Sequence, residues 1–368
     1  MSRTVATLAV LGLTAGLSSA ADDPAKPKLS PAEQAAMIDK GLEWLRKNQA
    51  ADGHWEVQGG QYPTSMTALA GMCLLMEGST LRDGKYSDNL VKAVNWFMQR
   101  SQPNGLLGNP NNPSESQRYM YGHGFGMLFL ASVYGEEEDA DRRRKLEQML
   151  KKAVEFCGKA QTDRGGWGYL SAKEGGNFDE GSVTITQLQA LRAARNAGIK
   201  VPKEIIDKAI KYLRDSTTPR GGVIYSLAHT NGVATGQERP ALTAAAVACA
   251  FSAGQYKDDY AMKWIKFCKE NIPVGRGRVQ HDEYQSYYYA QAVYVLGDDR
   301  YGDLFPAEKD KKNWVTWSGY KEAMFEHLKG QQLADGSWSS GYIGPVYSTA
   351  VNLTILQLDK GIVPIYHR

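Results

Sequence analysis

Three stretches of the chain spell one pattern: Gln49-x-x-x-Gly53-x-Trp55, Gln161-x-x-x-Gly165-x-Trp167 and Gln332-x-x-x-Gly336-x-Trp338. Five residues before each Gln stands a ring, Trp44, Phe156 or His327, followed by Leu45, Cys157 or Leu328. Weaker copies carry Trp96, Phe97 and Gly105, then Tyr212, Leu213 and Gly221, then Trp264, Ile265 and Gly275, without the Gln and the final Trp. The six ring anchors are spaced by about 57 residues on average, longer than the units of open helical solenoids. Six such units use nearly all of the 368 residues and leave no room for a second domain.

Each unit reads as two helices of opposite character. The first is amphipathic: Ile38, Leu42 and Leu45 recur at helical spacing, with Lys40, Glu43, Arg46 and Lys47 on the other side. The second is apolar nearly all round, as in Met66–Met76 and Ala241–Phe251, and such a helix has to be buried on every side. Wet outer helices alternating with dry inner ones predict an all-α fold, an α/α toroid (α6/α6 barrel) of about six hairpins over residues 31–368. Closure also hides the end repeats that a solenoid would have to cap. Within the repeated core, the Gly takes the left-handed turn that ends the outer helix, the Gln amide bonds free backbone groups, and the Trp plugs the space between neighbours. That reading makes the motif a staple and keeps it out of the candidate site.

With 42% apolar residues and a net charge of +3 without a basic block, the chain reads as globular and is not expected to bind nucleic acid. Arg3, the apolar run from Val5 to Leu17 and the small residues up to Ala20 have the order of a secretory signal. We therefore expect 1–20 to be a cleaved signal peptide, 21–30 a linker, and the protein to be exported to a periplasmic or extracellular location. Cys73, Cys157, Cys249 and Cys268 lie in helical patterns among apolar neighbours and read as small buried thiols, with one disulfide left open. Oligomeric state is not readable from the sequence.

Lys40-Gly41-x-x-Trp44-Leu45-x-x-x-Gln49-x-x-x-Gly53-x-Trp55 resembles a QW motif of the squalene cyclase and protein prenyltransferase superfamily, and Lys152 to Trp167 is a second good match. The resemblance covers about residues 31–360. It implies the terpenoid cyclase-like α/α toroid, with inner-helix N-termini opening on a central cavity. It does not carry the chemistry with it. The Asp-x-Asp-Asp run that supplies the acid in squalene and hopene cyclases is absent, and so is the Asp-x-Cys pair of the prenyltransferase zinc site. No cofactor or stoichiometric zinc is expected, and whether the chain is an enzyme stays open.

In such a ring the loops leading into the inner helices converge on one mouth. Four residues there are catalytic candidates, His123, Asp179, Glu238 and His281. They follow their ring anchors by 17 to 27 residues and should share a rim. His123, flanked by Gly122 and Gly124, is the best single proton-transfer group. Tyr121, Glu180, Arg239, Asp282, Glu283, Tyr284 and Tyr347 are the ligand-binding candidates. The acids also suit helix N-termini, where capping explains them without any chemistry. His281-Asp282-Glu283 is metal-ligating in composition, but consecutive helical residues point to different sides, so no metal site is assigned. Three functions compete: binding, with or without turnover, of an apolar or isoprenoid-like molecule; a lyase or hydrolase acting on glycans; and a noncatalytic interaction module. Peripheral membrane contact stays open.

Overall fold

The computed structural model describes residues 29–252, 257–274, 282–339 and 341–367. Its order is α1(Pro31–Lys47), α2(Pro63–Glu77), α3(Ser87–Arg100), α4(Tyr119–Tyr134), α5(Ala140–Ala160), α6(Gly181–Asn196), α7(Lys203–Asp215), α8(Pro240–Ser252), α9(Asp259–Asn271), α10(Asp282–Leu296), the single turn α11(Arg300–Leu304), α12(Trp317–Gln331) and α13(Pro345–Gln357). The expected signal segment, residues 1–20, lies outside the described residues, as does nearly all of 21–30. No helix among the described residues is long and apolar enough to cross a membrane.

The two helix types separate as their patterns dictate. In α7 only Ile205, Ile206, Ala209, Ile210, Tyr212 and Leu213 are buried, one face of the helix, each large aliphatic worth roughly 1.5–3 kcal/mol. In α2 every residue from Pro63 to Met76 is buried. The inner helices α2, α4, α6, α8, α10 and α13 pack each on the next, and α13 packs back on α2, so the inner ring is closed. The outer helices lie against it, and the molecule is an α/α toroid.

The repeated turn closes the outer layer. Gly53, Gly105, Gly165, Gly221 and Gly336 have φ between +94° and +103°, a region open to glycine and strained for other residues. Each also backs directly onto the carbonyl of a lysine in the next outer helix: Lys92, Lys152, Lys208 and Lys263, with Gly336 against Lys40 of the first. Gln49 donates to the Gly53 and Asn89 carbonyls at 2.8 and 3.0 Å, and Gln161 and Gln332 repeat the arrangement. The indole N–H of Trp55, Trp167 and Trp338 donates to the carbonyls of Leu45, Cys157 and Leu328 at 2.7 to 2.8 Å. Thr67, Thr184 and Thr349 of the inner helices accept from the same tryptophans' backbone N–H at 2.9 to 3.0 Å.

One end of the ring is closed. The C-terminal turn, Pro364–Tyr366, packs on α6, and Tyr366 meets Tyr287 at 2.9 Å, hydroxyl to hydroxyl. Gln189 reaches across to Gln291 at 2.8 Å. The free space is at the other end, at the inner-helix N-termini.

Candidate functional site

A cavity of about 610 Å³ opens there, lined from all six repeats. Val57, Gln58, Gln61, Tyr62, Ser65, Met66 and Leu69 come from the first repeat, Arg118, Tyr121 and Phe125 from the second, Tyr169 and Ser182 from the third. Tyr225, Arg239, Ala241 and Leu242 follow from the fourth, Glu283 and Tyr284 from the fifth, and Tyr342, Ile343 and Tyr347 from the sixth. Most of the wall is aromatic ring or aliphatic chain, and Glu283 is the single carboxylate among the described residues that line it.

The tyrosines form a connected arc. The rings of Tyr121 and Tyr169 lie 5.9 Å apart, and the hydroxyls of Tyr169 and Tyr225 are hydrogen-bonded to each other. The guanidinium of Arg118 sits over the Tyr169 ring at 4.7 Å, and Tyr121 shares a 2.5 Å contact with the Ser182 hydroxyl. Burial pushes the phenols of Tyr121, Tyr284 and Tyr347 well above the ordinary range, so they are neutral donors or acceptors at any physiological pH.

Five of the expected residues, Tyr121, Arg239, Glu283, Tyr284 and Tyr347, line the cavity. Glu180 lies one layer behind. It caps α6, its oxygens accepting from the N–H groups of Ser182 and Val183 and from the Ser182 hydroxyl, with Tyr121 at 3.3 Å. Burial raises its pKa. Asp282 does not line the cavity, and its carboxylate faces Ser286 on the first turn of α10.

The catalytic expectations need correction. His123 is fully buried and away from the cavity. It fills the place that Thr67, Thr184 and Thr349 hold in other repeats: Nδ1 accepts from the Leu107 N–H at 3.3 Å, and Nε2 donates to the Ala153 carbonyl at 3.2 Å. Burial pushes its pKa down to about 4, and the neutral ring has no free nitrogen for proton transfer. Its flanking glycines serve helix packing and no ligand. A Cβ at Gly122 would stand 2.8 Å from Thr64 of α2, and one at Gly124 would stand 2.6 Å from Thr186 of α6.

Asp179 is likewise fully buried and off the wall. One oxygen accepts from the Tyr212 hydroxyl at 2.9 Å and from the N–H groups of Leu227 and Ala228, pinning the loop that presents Tyr225. Glu238 also misses the wall: it accepts from the Thr218 hydroxyl and lies 3.5 Å from Arg220. His281 lies outside the described residues. All four cysteines are buried and outside any disulfide, and burial pushes their thiols up, which removes any nucleophilic reading. No cluster of three or more metal-ligating side chains occurs among the described residues.

Reasoning from ring anchors missed Tyr62, Arg118, Phe125, Tyr169, Ser182 and Tyr225, and a different register finds three of these, Tyr169, Ser182 and Tyr225. Counting two residues back from the inner-helix acceptor of each staple, Thr67, His123, Thr184, Thr243 and Thr349, gives Ser65, Tyr121, Ser182, Ala241 and Tyr347, all lining residues. Counting two forward from Trp55, Trp167 and Val223 gives Val57, Tyr169 and Tyr225. Val57, Trp167, Val223 and Ile224 make isolated antiparallel bridges, and Tyr169 and Tyr225 follow in the bends just after them.

No protein-family model matches the sequence. Human lanosterol synthase is 30% identical to the chain over 94 residues, which are 26% of this chain and only 13% of that enzyme. Type II terpene cyclase MstE from Scytonema has the same fold, with TM-score 0.57 and 16% identity over 92% of this chain and 100% of the other. So has an inactive double-aspartate variant of the GH76A alpha-1,6-mannanase of Salegentibacter sp. HEL1_6, in complex with alpha-1,6-mannotriose, with TM-score 0.62 and 9% identity over 89% and 99%. At these identities the likeness is one of fold: the terpenoid cyclase-like toroid is also a glycosidase scaffold.

Proposed function

We propose that the toroid binds an apolar small molecule of isoprenoid type in the mouth cavity. The observation that carries this reading is the wall itself, about 610 Å³ of space bounded by tyrosine, phenylalanine and aliphatic side chains with one carboxylate. Such a site holds an elongated hydrocarbon by area burial, at about 25 cal/mol per Å² of apolar surface removed from water. Glycoside hydrolysis calls for two carboxyl groups flanking the scissile bond, roughly 5 to 10 Å apart. Here Glu283 stands alone on the wall among the described residues, while the oxygens of Glu180 are committed to capping α6. Export, with loss of residues 1–20, is part of the proposal, and the intact mass of the protein from its native host tests it.

Calorimetric titration of the purified protein with geranylgeraniol and, in parallel, with alpha-1,6-mannotriose tests the binding itself. We expect saturable one-to-one binding of the isoprenoid alcohol, weakened about tenfold by Phe125→Ala, and none of the oligosaccharide. Binding of mannotriose without geranylgeraniol would reverse the assignment in favour of a glycan.

A further inference from the structure

Ion pairs tie several elements of this protein together. Arg142 meets Glu137 at 2.8 Å, Arg214 meets Asp258 at 2.5 Å, and Lys329 meets Glu33 at 2.8 Å. The mouth carries three charged side chains outside any such pair. Arg118, Arg239 and Glu283 all line the cavity, and none of their side chains forms an ion pair or hydrogen bond with another described residue. Nε of Arg239 and Oε1 of Glu283 are buried and unpartnered, as is the Tyr284 hydroxyl. Arg118 is exposed and Arg239 and Glu283 are half-buried, so the charges themselves keep solvent contact, whereas the buried Nε, Oε1 and phenol hydroxyl are polar atoms at the cavity that a ligand can satisfy.

The two arginines stand on one side of the mouth. Arg118 lies over the Tyr169 ring, Tyr169 bonds Tyr225, and Arg239 is tied to the same extended segment by its N–H to the Val223 carbonyl at 2.8 Å. Glu283 comes from the fifth repeat and lies beneath Gly341 and beside Tyr347. Taking the apolar reading above as its basis, we infer that the ligand is an amphiphile with a single anionic oxyacid head, a carboxylate or a phosphate. The head sits between Arg118 and Arg239, and the hydrocarbon body runs over Met66, Leu69 and Phe125. Guanidinium matches such a head with paired N–H donors, and an apolar surround strengthens the interaction. Glu283 repels an anion and so fixes which end of the ligand faces which wall.

The test holds the hydrocarbon constant and varies the head. Dodecanoate, dodecyl phosphate, dodecanol and dodecylamine are titrated into the intact protein and into Arg239→Gln and Arg118→Gln, with the thermal midpoint of each variant recorded. We expect at least one of the two anions to bind tenfold or more tighter than dodecanol, and dodecylamine to bind more weakly than dodecanol. The tighter of the anions identifies the head. Either substitution should bring that anion to within about threefold of dodecanol while the midpoint stays within a few degrees. Dodecanol binding as tightly as both anions would overturn the anionic head and leave the apolar reading standing. Absence of binding by all four would overturn the apolar reading itself. Anion binding unchanged in both arginine variants would place the head elsewhere and refute this subsite.

Discussion

The outer seam and the mouth are built from the same six repeats, yet they treat polar atoms in opposite ways. At the seam, Gln49, Gln161 and Gln332 each bridge two carbonyls, and every staple indole has its acceptor. At the mouth, buried atoms of Arg239, Glu283 and Tyr284 have none. Regularity in the sequence therefore marks the part that holds the ring together, and function is to be sought where the repeats differ from one another.

The largest effect should come from the seam. Trp167→Ala removes a fully buried indole and leaves the Cys157 carbonyl without its donor. We expect a loss of about 3–5 kcal/mol and a fall of the thermal midpoint of roughly 5 to 15 °C, read by circular dichroism. A melt within 2 °C of the parent, on the order of 1 kcal/mol or less, would mean that the staple does not carry the stability assigned to it.

His123 tests whether the second repeat belongs to the seam or to the mouth. Its folded pKa is lowered to about 4, so the unfolded chain binds the proton more readily. The stability that the neutral ring contributes is complete above the unfolded value, near 6.5, and is lost as pH falls from there to about 4. The size is about 3 kcal/mol. His123→Thr installs the residue that other repeats use and should flatten this acid limb, shown by denaturant midpoints at pH 7 and pH 4.5, while ligand affinity at pH 7 stays unchanged. An affinity lost at pH 7 with the fold intact would return His123 to the site.

Ring closure can be broken at a single carbon. A Cβ at Gly336, where φ is +95°, would stand 2.5 Å from the Lys40 carbonyl of the first outer helix. Gly176 also has positive φ, +62°, but with nothing within 4 Å. Gly176→Ala should cost about 1 kcal/mol in backbone strain alone, whereas Gly336→Ala should cost about 2 kcal/mol or more because backbone has to move as well. Equal denaturation midpoints for the two variants would show that the last turn does not close on the first helix as described.

The sequence made the ring legible because helical period, glycine placement and the Trp spacing all point to one architecture. The mouth was half legible. Tyr121, Arg239, Glu283, Tyr284 and Tyr347 were readable from their place before or at the start of an inner helix. His123, Asp179 and Glu238 were misjudged because a polar residue at a helix start serves a buried backbone as readily as a substrate, and only its partners tell which. Tyr169 and Tyr225 stayed hidden because they lie in bends just after the isolated bridge residues Trp167 and Ile224, where no strand pattern runs long enough to be read. The plug by Tyr366 depends on the tail folding back under α6, which no local pattern encodes.

The finest test sets two mouth-loop acids against each other. Glu238 accepts from Thr218 beside Arg220, away from the wall, whereas Glu283 lines the cavity with an unpartnered oxygen. Gln at either position keeps size and an acceptor while removing the charge. Glu238→Gln should leave stability within about 1 kcal/mol, since a pair with a mostly exposed arginine is worth little, and should leave dodecanoate affinity unchanged. Glu283→Gln removes a negative charge from the space that an anionic head must enter. Across a partly desolvated cavity that is worth roughly a two- to fivefold gain in dodecanoate affinity, with dodecanol unaffected. The gain should shrink as salt is raised if solvent reaches both charges, and persist if the bound ligand excludes it. A gain of the same size in Glu238→Gln would trace the effect to the net charge of the whole mouth and remove Glu283 from its role in orienting the ligand.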